Sequence, residues 1–188
     1  MAKDREIPAA ANVLGTIGTV LWCIQLVPQI WHNWRQKKTD GLPAMMMLLW
    51  ALSGVPFGSV NIPLQLQPQI LTALSLVSWG QILYYNHNYT KVKAILVCLT
   101  TAGVFAGVEV LLILTLRIPY NNGVTWPGLA IGIIASILLT LGLVSPYQEL
   151  WKRNGRVIGI NWVFLSMDTG GALFSVFALG NVAPLSPK

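Results

Sequence analysis

The sequence predicts an all-α polytopic membrane protein, and three observations carry that prediction. Of the 188 residues, 54% are hydrophobic and only 10% charged, with a mean hydropathy of +0.62, far from the composition of a soluble domain. The charges are gathered between uncharged runs, each long enough for a helix to cross a hydrocarbon core of about 30 Å. The basic residues collect in alternate loops, as the orientation bias of Lys and Arg in membranes requires.

The elements follow from the charges. No residue between Glu6 and Arg35 is charged, which predicts a first helix over 12–34. From Gly41 to Thr90 there is again no Lys, Arg, Asp or Glu, about twice the length of one crossing. The polar, proline-bearing NIPLQLQPQ at Asn61–Gln69 divides that run, giving helices over 42–62 and 67–86. A fourth helix is predicted over 92–117, a fifth over 126–151 and a sixth over 157–180, with PYNNG at Pro119–Gly123 as the turn between the fourth and fifth. A cleaved signal peptide is not expected, because the first apolar run is too long and MAKDRE mixes both charge signs.

Orientation comes from the loops. One side holds Arg35, Lys37, Lys38, Lys91, Lys93, Lys152, Arg153 and Arg156, the other Lys3, Arg5, Arg117 and Lys188. The richer side is expected to be cytosolic and the N-terminus lumenal. The NYT sequon at Asn88–Thr90 then faces the cytosol and stays unmodified. The net charge of +6 reflects this topology, and no nucleic-acid partner is expected. Cys23 and Cys98 fall inside apolar spans, where a thiol behaves as a small hydrophobe and no structural disulfide is expected.

The chain also repeats itself. LVPQIWHNWRQKKTDG at Leu26–Gly41 has a counterpart in LVSPYQELWKRNGRVIGI at Leu143–Ile160. Pro28 aligns with Pro146, Arg35 with Arg153 and Gly41 with Gly159, and the Pro-to-Gly interval is 13 residues in both. Downstream, Gly54 falls near Gly171 and Phe57 near Phe174 after a one-residue adjustment. Two copies therefore lie about 118 residues apart, and because three helices and a lone fourth separate their starts, they run in parallel.

LVPQIWHNWRQKKTDGL followed by MMLLWALSGVPFG resembles the first motif of the PQ-loop repeat family, and PYQELWKRNGRVIGINWVFLSMDTGGALFS resembles its second, in the style of fungal members. The resemblance spans most of the chain. It implies two parallel PQ-loop three-helix repeats with a linker helix: 1–86 as the first repeat, 87–125 as linker helix and loop, and 126–188 as a second, incomplete repeat, so that the chain holds six helices in all and a seventh is missing. It further implies transport of a small solute, since the family includes cystinosin and vacuolar or lysosomal cationic amino acid exporters, with the sugar-carrying SWEET transporters as relatives. A class-distinct alternative on the same repeat is a receptor, scaffold or sorting protein that does not transport. The second motif departs from the family in reading Pro146-Tyr147 where Pro-Gln is usual. Pro68-Gln69, at a turn between helices, lacks the surrounding motif and is a decoy.

Proline removes a helical N–H donor and clashes with the carbonyl one turn earlier. Within a membrane the freed backbone must face other helices or a watered cavity. Pro28 with Gln29, and Pro146 with Tyr147, are thus candidate hinges on which two bundles rock around a shared site. Gln29 supplies both a donor and an acceptor beside the first of them.

Asp168, eleven residues after Val157, is expected near the middle of the sixth helix. A carboxylate at that depth costs about 2.5–3.5 kcal/mol on insertion scales, so it needs a partner, a cavity or a proton. It is the leading candidate for proton coupling or for binding a cationic substrate, which makes an amino acid and protons the expected partners along with the bilayer. Asn61 is a candidate for the lumenal mouth of the site, Trp50 for its wall, and Glu109 for a second carboxylate nearer the lumenal end; Gln25 and Gln81 are weaker candidates. No cofactor and no metal are expected. The sequence has no His/Cys/Asp cluster at ligand spacing, no Gly-rich phosphate loop and no nucleophile beside a base, so no enzymatic activity is expected.

Overall fold

A computed structural model describes residues 8–60, 66–156 and 158–181, all of whose regular structure is helical. Seven segments follow one another: α1 (Ala9–Ile24), α2 (Leu26–Gln36), α3 (Ala44–Val60), α4 (Leu66–Tyr85), α5 (Lys91–Asn121), α6 (Trp126–Lys152) and α7 (Trp162–Gly180). α1 and α2 are separated by Gln25 alone, whose φ of −53° and ψ of −36° are still right-handed helical. They form one rod of 28 residues, Ala9–Gln36. The interruption sits where Pro28 has no N–H to offer the Ile24 carbonyl.

Four rods, Ala9–Gln36, α5, α6 and α7, are long and apolar enough to cross a membrane, and α3 is a shorter apolar helix. The solvent can be read from where polarity lies. α5 buries only Ala94 and presents Leu96, Leu99, Val104, Leu111 and Leu114 outward, whereas Gln29, Asn33, Ser53, Ser75 and Ser78 are completely buried. An apolar exterior of that extent is foreign to soluble monomers. It matches a protein solvated by lipid, and this is a multi-pass integral membrane protein.

α3 is the central helix. It packs on α4, α5 and α6, while α1 packs on α7 and α2 on α4. The core lies at its first turns, where Met46, Met47 and Trp50 meet Leu26, Leu42, Ile82 and Phe164. The two sequence copies therefore interlock: the opening helix of each packs on the second helix of the other, α1 on α7 and α6 on α3. Close approach at both seams relies on a glycine under a tryptophan. The Trp22 indole lies over Gly171, where an added Cβ would stand 2.6 Å from its Cδ1, and Trp50 lies over Gly142 at the same 2.6 Å. Each indole N–H donates to a carbonyl three residues before that glycine, Trp22 to Asp168 and Trp50 to Leu139, both at 3.3 Å. Van der Waals fit and such bonds hold membrane helices together where lipid removes the hydrophobic drive.

Three expectations about the helices need correction. α6 runs unbroken through Pro146, because a membrane helix absorbs a proline by small local adjustments and by leaning on its neighbours. The last helix starts at Trp162 rather than 157, since Gly159 adopts a left-handed φ of 78° and Asn161 caps the helix by accepting from the Val163 N–H at 2.8 Å. Asp168 consequently lies two turns into α7, three residues before its midpoint. α5 continues to Asn121, with Pro119 absorbed in its final turn and Gly123, at φ 76°, making the turn. Gly103 and Gly107, one turn apart on α5, have nothing within 4 Å of an added Cβ and face outward, whereas Gly54 seats Thr72 and Gly58 seats Gln69 and Glu109.

Candidate functional site

At the basic-loop end of the molecule two loops meet backbone to backbone. Gly41 and Gly159, at equivalent places in the two copies, have φ of 85° and 78°. Each occupies the space a side chain on the other loop would need: a Cβ on Gly41 would strike the Ile158 carbonyl, and one on Gly159 the Asp40 carbonyl. Only residues without a Cβ let two left-handed turns meet this closely.

Gln29 fastens this contact. Its side chain is fully buried; Nε2 donates to the Gly159 carbonyl at 3.0 Å and to Asn33 Oδ1 at 2.8 Å, while Oε1 accepts from the Asn161 N–H at 2.7 Å. Asn161 Nδ2 donates back to the Pro28 carbonyl at 3.3 Å. The network continues inward as Asn33 Nδ2 donates to Gln81 Oε1 at 3.0 Å and Gln81 Nε2 to the Ile30 carbonyl at 3.1 Å. The glutamine of the first motif thus reaches across to the turn of the second as well as to Asn33 on its own helix. A fully satisfied buried network of this kind fixes one arrangement of its members.

Beyond the clasp lie two cavities of about 360 Å³ each that share Trp50, Leu143 and Asp168. One reaches the basic-loop end past Pro146, Tyr147, Phe164, Glu149, Arg153 and Arg156. The other runs toward the opposite end past Trp22, Gln25, Phe57, Gln67 and Pro68. Their size is that of sites for small molecules. Asp168 stands in the wall of both, and so does Trp50.

Gln25, a weak candidate in the sequence, is buried in the wall of the second cavity, and its Oε1 has no hydrogen-bond partner among the described residues. An orphan acceptor in a membrane interior calls for a donor, water or ligand, since leaving it bare costs about 1–3 kcal/mol. Asp168 thus brings a carboxyl group to both cavities and Gln25 a free acceptor to the second, and among the described residues the cations lining them are Arg153 and Arg156, at the basic-loop end of the first. Asn33 and Asn161, which the sequence reading missed, could be found there only through the place of Asn33 one helical turn after Gln29 and the capping position of Asn161.

The remaining candidates are elsewhere. Glu109 lies on α5 away from both cavities, accepting a hydrogen bond from Gln69 Nε2 beside Gly58. Tyr147 is largely exposed at the rim of the first cavity. Asn61 is outside the described residues. Among the described residues, no three of His, Cys, Asp and Glu gather as a metal site.

A helix interrupted beside Pro28, a buried Gln29, a basic loop and a glycine turn packed on its own counterpart together define the unit, and residues 10–70 match the PQ loop repeat family. The chain carries a PQ-loop repeat. It is 44% identical over 182 residues to an uncharacterized membrane protein of Saccharomyces cerevisiae, covering 92% of this chain and 59% of that protein. An uncharacterized protein of Schizosaccharomyces pombe is 34% identical over 176 residues, 90% of this chain and 62% of its own length. The chain thus spans about three fifths of the length of these two relatives. A vacuolar lysine transporter of S. cerevisiae, YPQ1, is 31% identical over 85 residues, 42% of this chain and 27% of the transporter. No solved structure matches the chain.

Proposed function

We propose that this PQ-loop chain carries small solutes across a vacuolar or lysosomal membrane by alternating access, in a proton-coupled export of cationic or other amino acids, with substrate and proton meeting at Asp168. The observation that carries this reading is the position of Asp168 in the wall shared by two cavities that lead to opposite ends of the molecule. A carboxylate there is reached from either end and suits a protonated amine, and Gln25 adds an acceptor to the same wall. Similarity to a vacuolar lysine transporter supports the same substrate class. In this reading 1–86 form the first repeat, 87–125 the linker helix and loop, and 126–188 the second repeat; Trp50 is the partition between the cavities. Pro28 and Pro146 let the interlocked pairs α1–α7 and α3–α6 rock, and the Gln29 clasp ties the two loops together at the basic-loop end.

The test is uptake of labelled lysine, cystine and glucose by proteoliposomes holding the full chain, with and without an inward proton gradient. Gradient-stimulated lysine flux is expected, with slower flux but intact insertion in Pro28→Ala and Pro146→Ala. Absence of flux for every solute would leave the receptor or scaffold role on the same repeat.

In the same reading the basic loops face the cytosol and the N-terminus the lumen, as the bias of Lys and Arg toward one side supports. Asn88, in the turn before α5, should then carry no glycan in cells, while a sequon introduced within 119–123 is modified. A glycan on native Asn88 would invert the topology.

A further inference from the structure

We propose that the groove between α4 and α5 is a binding site for one anionic phospholipid of the leaflet beside the basic loops, its acyl chain in the groove and its phosphate between Lys37 and Lys91. The inference rests on the membrane-spanning fold and not on transport.

The groove has a volume of about 600 Å³ and is walled by Ala73, Val77 and Gly80 of α4 and by Ile95, Leu99 and Ala102 of α5. Small residues on both helices create the hollow. Its floor is tight, since a Cβ on Gly80 would stand 2.8 Å from Cys98 Sγ, and its outer wall is open, with Val77 and Leu99 at least half exposed. From Lys91 to Ala102 the groove follows α5 for about 16 Å at the helical rise per residue. That is roughly half of a hydrocarbon core of about 30 Å, the depth of one leaflet.

Charge and aromatic placement identify the headgroup. The two charged residues lining the groove are Lys37, from the left-handed turn that ends α2, and Lys91, the first residue of α5. No acid lines it. Lys91 stands at a helix N-terminus, where unpaired N–H groups add to the positive potential. By contrast Lys152 and Arg153, in the equivalent loop of the second copy, are paired with Glu149 at 3.8 and 3.3 Å. Trp34, Tyr84 and Tyr85 frame the mouth, with the Lys37 ammonium 4.6 Å from the Trp34 ring centre. Aromatic rings settle at the membrane–water interface, so the cationic end is at headgroup level and the apolar end points to the midplane. A basic pocket between helices at that level is the arrangement that holds acidic headgroups.

Native mass spectrometry of the full chain, titrated with phosphatidylserine or with phosphatidylcholine of the same acyl chains, tests the site. A preference for the serine lipid of roughly 30-fold is expected, about five- to sixfold per lysine. Lys37→Gln/Lys91→Gln should abolish the preference while leaving weak binding of both lipids, and Lys152→Gln should keep it. Ala73→Phe, narrowing the groove from an exposed position, should weaken both lipids alike. All four substituted residues lie on the exterior, and unchanged melting establishes that the variants are folded. Preference retained in the double variant, or lost equally in Lys152→Gln, overturns the headgroup assignment; wild-type binding in Ala73→Phe overturns the acyl site. Displacement of the bound lipid by millimolar inorganic phosphate alone would show an anion site and likewise overturn the proposal.

Discussion

Gly159→Ala is expected to lower the melting temperature of the detergent-solubilised chain by roughly 10 °C, and Gly155→Ala by about a third of that, although both glycines have nearly the same backbone. Gly155 has a φ of 82° and nothing within 4 Å of an added Cβ, whereas Gly159, at 78°, would drive its Cβ into the Asp40 carbonyl. The left-handed conformation alone costs a residue with a Cβ about 1–2 kcal/mol. At Gly159 the turn must also retreat, which takes its carbonyl from Gln29 Nε2 and the Asn161 N–H from Gln29 Oε1. Buried groups left unpaired cost about 1–3 kcal/mol each, so a total near 4 kcal/mol is expected, at about 2–4 °C per kcal/mol for a chain of this size. Gly41→Ala should behave like Gly159→Ala, because the contact is reciprocal. Equal shifts at Gly155 and Gly159 would show that the loops are not held against each other.

That contact shows where the sequence was legible and where it was not. Helix positions could be read because uncharged runs and basic loops obey the bilayer's thickness and orientation rules, which act on the chain segment by segment. The alignment of Gly41 with Gly159 was visible as repetition, but repetition does not say that equivalent residues touch. Contact between them depends on how α1 and α6 cross to the other copy, a tertiary fact. Pro146 teaches the same lesson from the other side: the covalent defect is certain from the residue type, yet whether it breaks a helix depends on the neighbours that absorb it. Asn161 carried a readable signal, a capping residue before an apolar run, and reading it would have placed the start of α7 five residues later. Glu109 illustrates depth without direction. Its helix was foreseen, but the face it shares with Gln69 and Gly58 follows from the packing of α5 on α3.

Asp168→Asn is expected to abolish gradient-driven accumulation of lysine while exchange at equal pH on the two sides survives within a few-fold. Asparagine keeps the size of the side chain and its place between the two cavities, and it still accepts a hydrogen bond, but it can neither ionise nor carry a proton. A transporter whose return step needs a protonated carboxyl would then run only as an exchanger. A carboxylate that merely attracts a cation gives a different result: binding weakens, exchange and accumulation fall in parallel, and high substrate concentration restores both. Gln25→Leu separates the roles further, because it removes the neighbouring acceptor and leaves the proton site. It should raise the substrate concentration for half-maximal flux about tenfold, the loss of one good hydrogen bond to a charged group, without uncoupling. A purely architectural Asp168 predicts a third pattern, a lower melting temperature with normal flux per folded molecule. Backbone evidence bears on that case, since it is the Asp168 carbonyl, and not the carboxylate, that receives the Trp22 N–H. The α1–α7 seam therefore keeps its bond in the Asn variant, and melting should shift by no more than a few degrees. Accumulation, equal-pH exchange and melting measured on one preparation decide among the three, and wild-type values in all of them would remove Asp168 from the mechanism.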